Sequence, residues 1–218
     1  MRIAVVAPSC PLKREAADAV QAIVVARGDC ELVIHPQCFL VDGHFAGPDK
    51  ARLDALREVM ADQSVDAVWF ARGGYGSNRI AEAALADLPG AASGKTYMGY
   101  SDAGFLLAGF YKAKLDVAWA PMPQDVVRSG GEAAVNRALD WLVRRDPSAL
   151  EPALRQPATA FNLTVLSNMG HVDFGVIACR ELVPDVWDIA HALDASLEEL
   201  RKAAERTAGA GKKAAKKG

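Results

Sequence analysis

The sequence predicts an α/β domain, a parallel sheet flanked by helices, followed by a truncated or remodelled C-terminal segment ending in a helix. Three observations predict it. Short unbroken apolar runs, "IAVV" and "AVWF" among them, suit strands buried on both faces. A stretch with helical periodicity follows each run. Glycine-rich or proline-rich turns then sit where strands give way to helices.

Taken in order, "RIAVVAP" reads as a central strand and "KREAADAVQAIVVARG" as a helix closed by Gly28. "CELVIH" is a second strand, and "PQCFLVDGHFAGPD" is a loop. "KARLDALREVMAD" is a helix that places Leu53, Leu56 and Met60 on one face. "VDAVWFA" is a third strand running into "RGGYGSNR", and "IAEAALADL" is the next helix. "KTYMGY" is a fourth strand, "AGFLLAGFYKA" its helix, "LDVAWAP" a fifth strand, and "GGEAAVNRALDWLVRR" a further amphipathic helix. Repeated strand–helix units of this kind form parallel sheets with right-handed crossovers, and ligands bind at the carboxyl ends of the strands. The loops "APSCP", "RGGYGSNR" and "GYSDAG" therefore share one edge.

The α/β domain spans 1–145. "DPSALEPALRQPATA" carries prolines at 147, 152 and 157, so 146–159 reads as a linker. Residues 160–183 are β-rich but too few for a domain. Residues 184–208 read as an amphipathic helix with Ile189, Leu193, Leu197 and Leu200 at spacings of three or four, and Asp185 as a candidate cap. Residues 209–218, "GAGKKAAKKG", read as a disordered basic tail.

Composition narrows the function. With 218 residues, 51% of them hydrophobic, the chain can bury a core. A net charge of −2, with acids and bases roughly balanced outside a basic tail, argues against nucleic acid on the main domain. Weak contact through Lys212, Lys213, Lys216 and Lys217 is the exception. No apolar run is long enough to cross a bilayer, and no secretory leader precedes "IAVVAP". The four cysteines (Cys10, Cys30, Cys38, Cys179) show no metal spacing. A cytoplasmic protein with reduced thiols and neither metal nor cofactor is expected.

Strand–Gly-x-Ser-x-small–helix at Gly99–Ala103 has two readings. Ser101 is a helix N-cap, or it is a nucleophile exposed on a strained elbow with helix N–H groups aimed at it. Gly73-Gly74 is likewise a plain turn or a nest of N–H groups for an oxyanion. Ser9, Arg72 and Tyr75 are candidates for contacting substrate, with a plain turn as the other reading of Ser9 and a surface ion pair as the other reading of Arg72.

Taken together, "IAVVAPSCP" at 3–11, "ARGGYGSNRI" at 71–80 and "MGYSDAGFLLAGF" at 98–110 resemble the LD-carboxypeptidase family, serine peptidases of the S66 type. This family comprises muramoyl-tetrapeptide carboxypeptidases and the related microcin-immunity hydrolases. "AFNLTVLSNM" at 160–169 resembles the opening of that family's second domain, which makes 160–183 a remnant of it. The resemblance implies a flavodoxin-like or amidotransferase-like first domain and a cytoplasmic enzyme of peptidoglycan recycling. Such an enzyme releases terminal D-alanine from muropeptide tetrapeptides as a homodimer. It further implies that Ser101 is the nucleophile and that the oxyanion hole comes from N–H groups at Asp102, Gly73 and Gly74. In the family a glutamate and a histidine from the second domain complete a triad. Here Gly170-His171 corresponds either to the catalytic Gly-His or to a structural one, and no glutamate stands convincingly between Ser101 and His171. A non-catalytic remnant that binds muropeptide or peptide carboxylates, or a microcin-immunity-type serine hydrolase, is the alternative.

Overall fold

The computed structural model describes residues 1–146, 161–168 and 171–178, together with helical residues 187–188, 191–193, 195–199 and 201–202. It divides into one unit of Met1–Leu150 and another of Glu151–Gly218.

In the first unit, alternation along β1 (Arg2–Val6) decides the layering. Ile3 and Val5 enter one core, Ala4 and Val6 another, and all four are buried. Beside it run β2 (Glu31–Ile34), β3 (Ala67–Phe70), β4 (Thr96–Gly99) and β5 (Asp116–Trp119). All pairings are parallel, in the order β2-β1-β3-β4-β5. This is the doubly wound, flavodoxin-like order, with a crossover beginning on each side of β1. Ile3 pairs in register with Leu32 and Ala67, and Tyr97 with Val68 and Val117.

The helices fill both faces. On one, α1 (Arg14–Arg27) contributes Val20 and Val24, and α5 (Gly131–Arg144) contributes Val135, Leu139 and Leu142, against Val5 and Trp69. On the other, α2 (Asp49–Ala61), α3 (Ser77–Ala86) and α4 (Gly104–Lys112) bring Leu56, Met60, Ile80, Leu106 and Phe110 against Val68, Phe70 and Tyr97. Helix α1 ends on left-handed Gly28, whose N–H donates to Val24 O at 3.1 Å.

The elements follow the sequence reading with local differences. Within the expected loop after β2, Pro36–Phe39 form a 3₁₀ turn. Helix α3 starts at Ser77, earlier than the apolar pattern from Ile80 indicates. On α2, Leu56 and Met60 are fully buried, whereas Leu53 is only partly so, and Arg52 takes a fully buried place.

Cys38 is fully buried, and burial pushes its thiol up to about 12; Cys10 and Cys30 are half-buried. Among the described residues no helix is long and apolar enough to cross a membrane.

In the second unit, β6 (Phe161–Asn168) and β7 (His171–Ala178) form an antiparallel pair in which Asn168 faces His171. Helical residues follow between 187 and 202, with Leu193 half-buried and Leu197 exposed. Residues 147–159 of the expected linker, Asp185, Ile189, Leu200, Cys179 and the lysine tail lie outside the described residues.

Candidate active site

Adjacent strands β1, β3 and β4 deliver the three singled-out loops to one edge of the sheet. At the end of β4 the chain passes through Tyr100 into a 3₁₀ turn, Ser101–Ala103, that runs directly into α4. Ser101 has φ 59°, left-handed for a residue with a side chain, and it is exposed. The other left-handed residues with side chains, Lys114 and Arg145, sit where helices end, a common use of that conformation. Ser101 instead stands between a strand and a helix, where the cost of about 1–2 kcal/mol serves no helix end. The N-cap reading does not hold, because Ala103 occupies the cap position of α4 with no side-chain bond.

The serine faces the diglycine turn. A Cβ built on Gly73 would lie 2.9 Å from both Cβ and Oγ of Ser101, so only glycine fits. Next to it, Gly74 has φ 118° and approaches the Cys10 thiol. The N–H groups of Gly73 and Gly74 donate to no acceptor among the described residues, which leaves them free for an oxygen beside Ser101.

Around this corner the side chains are committed. Asp102 is buried; its carboxylate accepts from Ser9 Oγ at 2.5 Å and from the Ser77 N–H at 2.8 Å. Ser77 Oγ donates to the Asp102 carbonyl oxygen. Ser9 is fully buried, so this placement gives it a bracing role in place of the expected substrate contact. Tyr100 donates its hydroxyl to Asp125 at 3.0 Å and accepts from Arg128 at 3.0 Å. Burial first, and then the Asp125 carboxylate, raise the Tyr100 phenol above its usual range, so it stays neutral beside the serine. Arg72 is half-buried, with Nη1 3.4 Å from Pro11 O. Tyr75, also half-buried, lies against the rings of His44 and Phe45, with centroids 5.9 and 6.0 Å away.

No described side chain hydrogen-bonds the Ser101 hydroxyl. His35 accepts from Gln37 N and sits 3.3 Å from Glu58, and His44 stacks 3.9 Å from Phe45. His171 is a β7 residue of the second unit, and His191 is exposed in the helical stretch. Glu132 lies in the first turn of α5, and Glu151 and Glu181 lie outside the described residues.

Residues 3–119, more than half of the chain, match the model of the LD-carboxypeptidase N-terminal domain. The chain belongs to the LD-carboxypeptidase family. A Streptomyces coelicolor protein that bears the provisional name of a carboxypeptidase is 39% identical over 107 residues, covering 46% of this chain and 33% of that protein. Among solved structures, the muramoyltetrapeptide carboxypeptidase of Oxalobacter formigenes shares the fold with a TM-score of 0.56 at 23% identity, over 64% of this chain and 47% of its own. The microcin C7 self-immunity protein MccF, in complex with glutamyl sulfamoyl guanosine, gives 0.53 at 17% identity, over 81% of this chain and 54% of its own. This LD-carboxypeptidase relative thus spans about half the length of those structures, and a third of the Streptomyces protein. Residues 149–201 match a different model, that of the WS/DGAT C-terminal domain. The stretch 160–169, expected as the opening of a second LD-carboxypeptidase domain, falls inside that second match.

Two contributors at this corner carry no signal in the sequence. At Asp102 only the backbone N–H is expected to act, whereas the structure also engages its carboxylate. Arg52 carries no local motif, although it lies four residues before Leu56 and eight before Met60, on the apolar stripe.

Proposed function

We propose that residues 1–146 carry the nucleophile half of an LD-carboxypeptidase-like serine hydrolase that removes terminal D-alanine from muropeptide tetrapeptides. The observation that carries this reading is the left-handed, exposed Ser101 held against Gly73. In the reaction, Ser101 Oγ attacks the amide carbon and gives its proton to a base. The carbonyl oxygen gains the negative charge against the N–H groups of Gly73, Gly74 and Asp102. The amide C–N bond then breaks to release the amine, and water hydrolyses the resulting ester. Arg72 and Tyr75 would line the approach.

For the base, His171 is the candidate, on the resemblance of Gly170-His171 to the family's catalytic Gly-His. It lies in the segment that matches the WS/DGAT model, so the two parts of the chain carry different family signatures. The reading places the protein in the cytoplasm as a homodimer acting on fragments of the cell wall. Incubation with a muropeptide tetrapeptide should release D-alanine, and Ser101→Ala should abolish release. A wild-type chain that releases none refutes hydrolysis. His171→Gln should slow release if the histidine is the base; unchanged release removes it from the site.

A second reading is favoured by the absence of any base bonded to Ser101 among the described residues: a cleft that binds muropeptide or a peptide carboxylate without turnover. Calorimetric binding of the tetrapeptide that Ser101→Ala leaves intact, with no product formed, would select it.

A further inference from the structure

Arg52 and Asp102 are both buried, and neither lies on a strand. Arg52 has no exposed surface. From α2 its guanidinium donates Nη1 to Pro8 O and, at 2.8 Å, to Gly76 O. It also donates Nε to Gly47 O at 3.2 Å and Nη2 to Asp49. Its face lies 4.8 Å from the Phe45 ring centroid. Gly76 has φ 138°, and a Cβ built on it would fall 2.8 Å from Arg52 Nη1, so this close approach requires glycine.

The partners of the two charges interlock. The amide joining Gly76 and Ser77 offers its carbonyl to Arg52 and its N–H to Asp102. The pair Pro8 and Ser9 is held in the same sense, carbonyl to Arg52 and hydroxyl to Asp102. One loop comes from β1 and the other from β3, and Asp102 directly follows Ser101 in the turn after β4. We propose that Arg52 and Asp102 form a buried two-charge clamp that fixes the serine elbow against the diglycine turn. As positioning residues for catalysis they rest on the reading of Ser101 as nucleophile; as a clamp they do not.

The physical reason is directional. A cation on carbonyls and an anion on donors align the intervening amide dipoles: Arg52, whose counter-ion is Asp49, holds the Pro8 and Gly76 carbonyls, and Asp102 holds the Ser9 hydroxyl and the Ser77 N–H, so removing either charge frees one side of both loops. Arginine suits the task because its planar fork serves several carbonyls at once, which a lysine ammonium does less rigidly.

The test is amide hydrogen exchange on the full chain for wild type, Arg52→Met and Asp102→Asn, with Ser101 reactivity toward a fluorophosphonate read in parallel. Either substitution should raise exchange about tenfold or more at the hydrogen-bonded amides of Ser77 and Gly104, one in each loop, while β1 and β3 keep their protection. Reactivity should fall by about tenfold or more. Should Arg52→Met fail to fold, the near-isosteric Asp102→Asn carries the measurement. Exchange that stays at the wild-type level in both loops, or that rises evenly across the sheet, overturns the clamp. If Ser101 is unreactive in the wild type, the hydrolase reading fails and the exchange pattern alone decides the clamp.

Discussion

Buried cations stand at opposite edges of the sheet, and they hold different things. At the amino edge, Lys95 precedes β4 and donates from Nζ to Asp62 O at 2.6 Å and Val65 O at 2.8 Å, both in the turn between α2 and β3. At the carboxyl edge, Arg52 holds carbonyls of separate segments, at Pro8, Gly47 and Gly76. Lys95 closes one turn, and burial lowers its pKa. Arg52 ties together loops that would otherwise move independently. The amino edge is bound for stability, and the carboxyl edge is bound so that a strained serine and a diglycine turn keep their mutual position.

If that contrast is right, changes at the carboxyl edge should harm reactivity more than stability, and changes at the amino edge the reverse. The largest effect is expected from Gly73→Ala, whose new methyl would meet Ser101 Cβ and Oγ at 2.9 Å. Displacing the hydroxyl by even part of an ångström should slow phosphonate modification of Ser101 by about 100-fold. An unchanged rate would break the comparison at its functional end. Lys95→Met should lower unfolding free energy by about 1–3 kcal/mol, measured by urea titration, and leave that modification rate intact.

The difference between the edges also bears on what the sequence discloses. Strands such as "IAVV" and "AVWF" are legible because burial on both faces demands unbroken apolar runs. The elbow at 99–103 and the glycines at 73 and 74 are legible because close backbone approach admits few residue types. Strand order and the cross-loop bonds are not local, so nothing near Arg52 says that carbonyls from residues 8, 47 and 76 converge on it. Its charge pointed outward while its position on the α2 stripe pointed inward, and the position decided. The same limit hid Ser9, whose burial depends on Asp102, ninety-three positions away in the chain.

Two smaller measurements sharpen the contrast. Ser101→Gly removes the left-handed penalty and should stabilise the protein by about 1–2 kcal/mol in the same titration, at the expense of the nucleophile. A loss of stability instead would mean that the serine conformation is not strained. The mildest effect is expected at Asp49, half-exposed and held below the usual carboxylate range first by the hydrogen bond from Arg79 and also by Arg52. Its folded pKa is depressed, so its contribution is fully present above the unfolded value near ~3.9 and is lost as pH falls through the lower folded value. Asp49→Asn should therefore cost about 0.5 kcal/mol at pH 7 and less at pH 3. A cost that grows on acidification would reverse the sign assigned here.

The central claim is that the Ser101 hydroxyl is a nucleophile presented to the diglycine corner. Treating the native chain with a fluorophosphonate and locating the adduct by peptide mass spectrometry tests it most directly. The account predicts a single phosphonylated site at Ser101, lost on heat denaturation. An unmodified Ser101, or an adduct spread over other serines at the same rate, would contradict it.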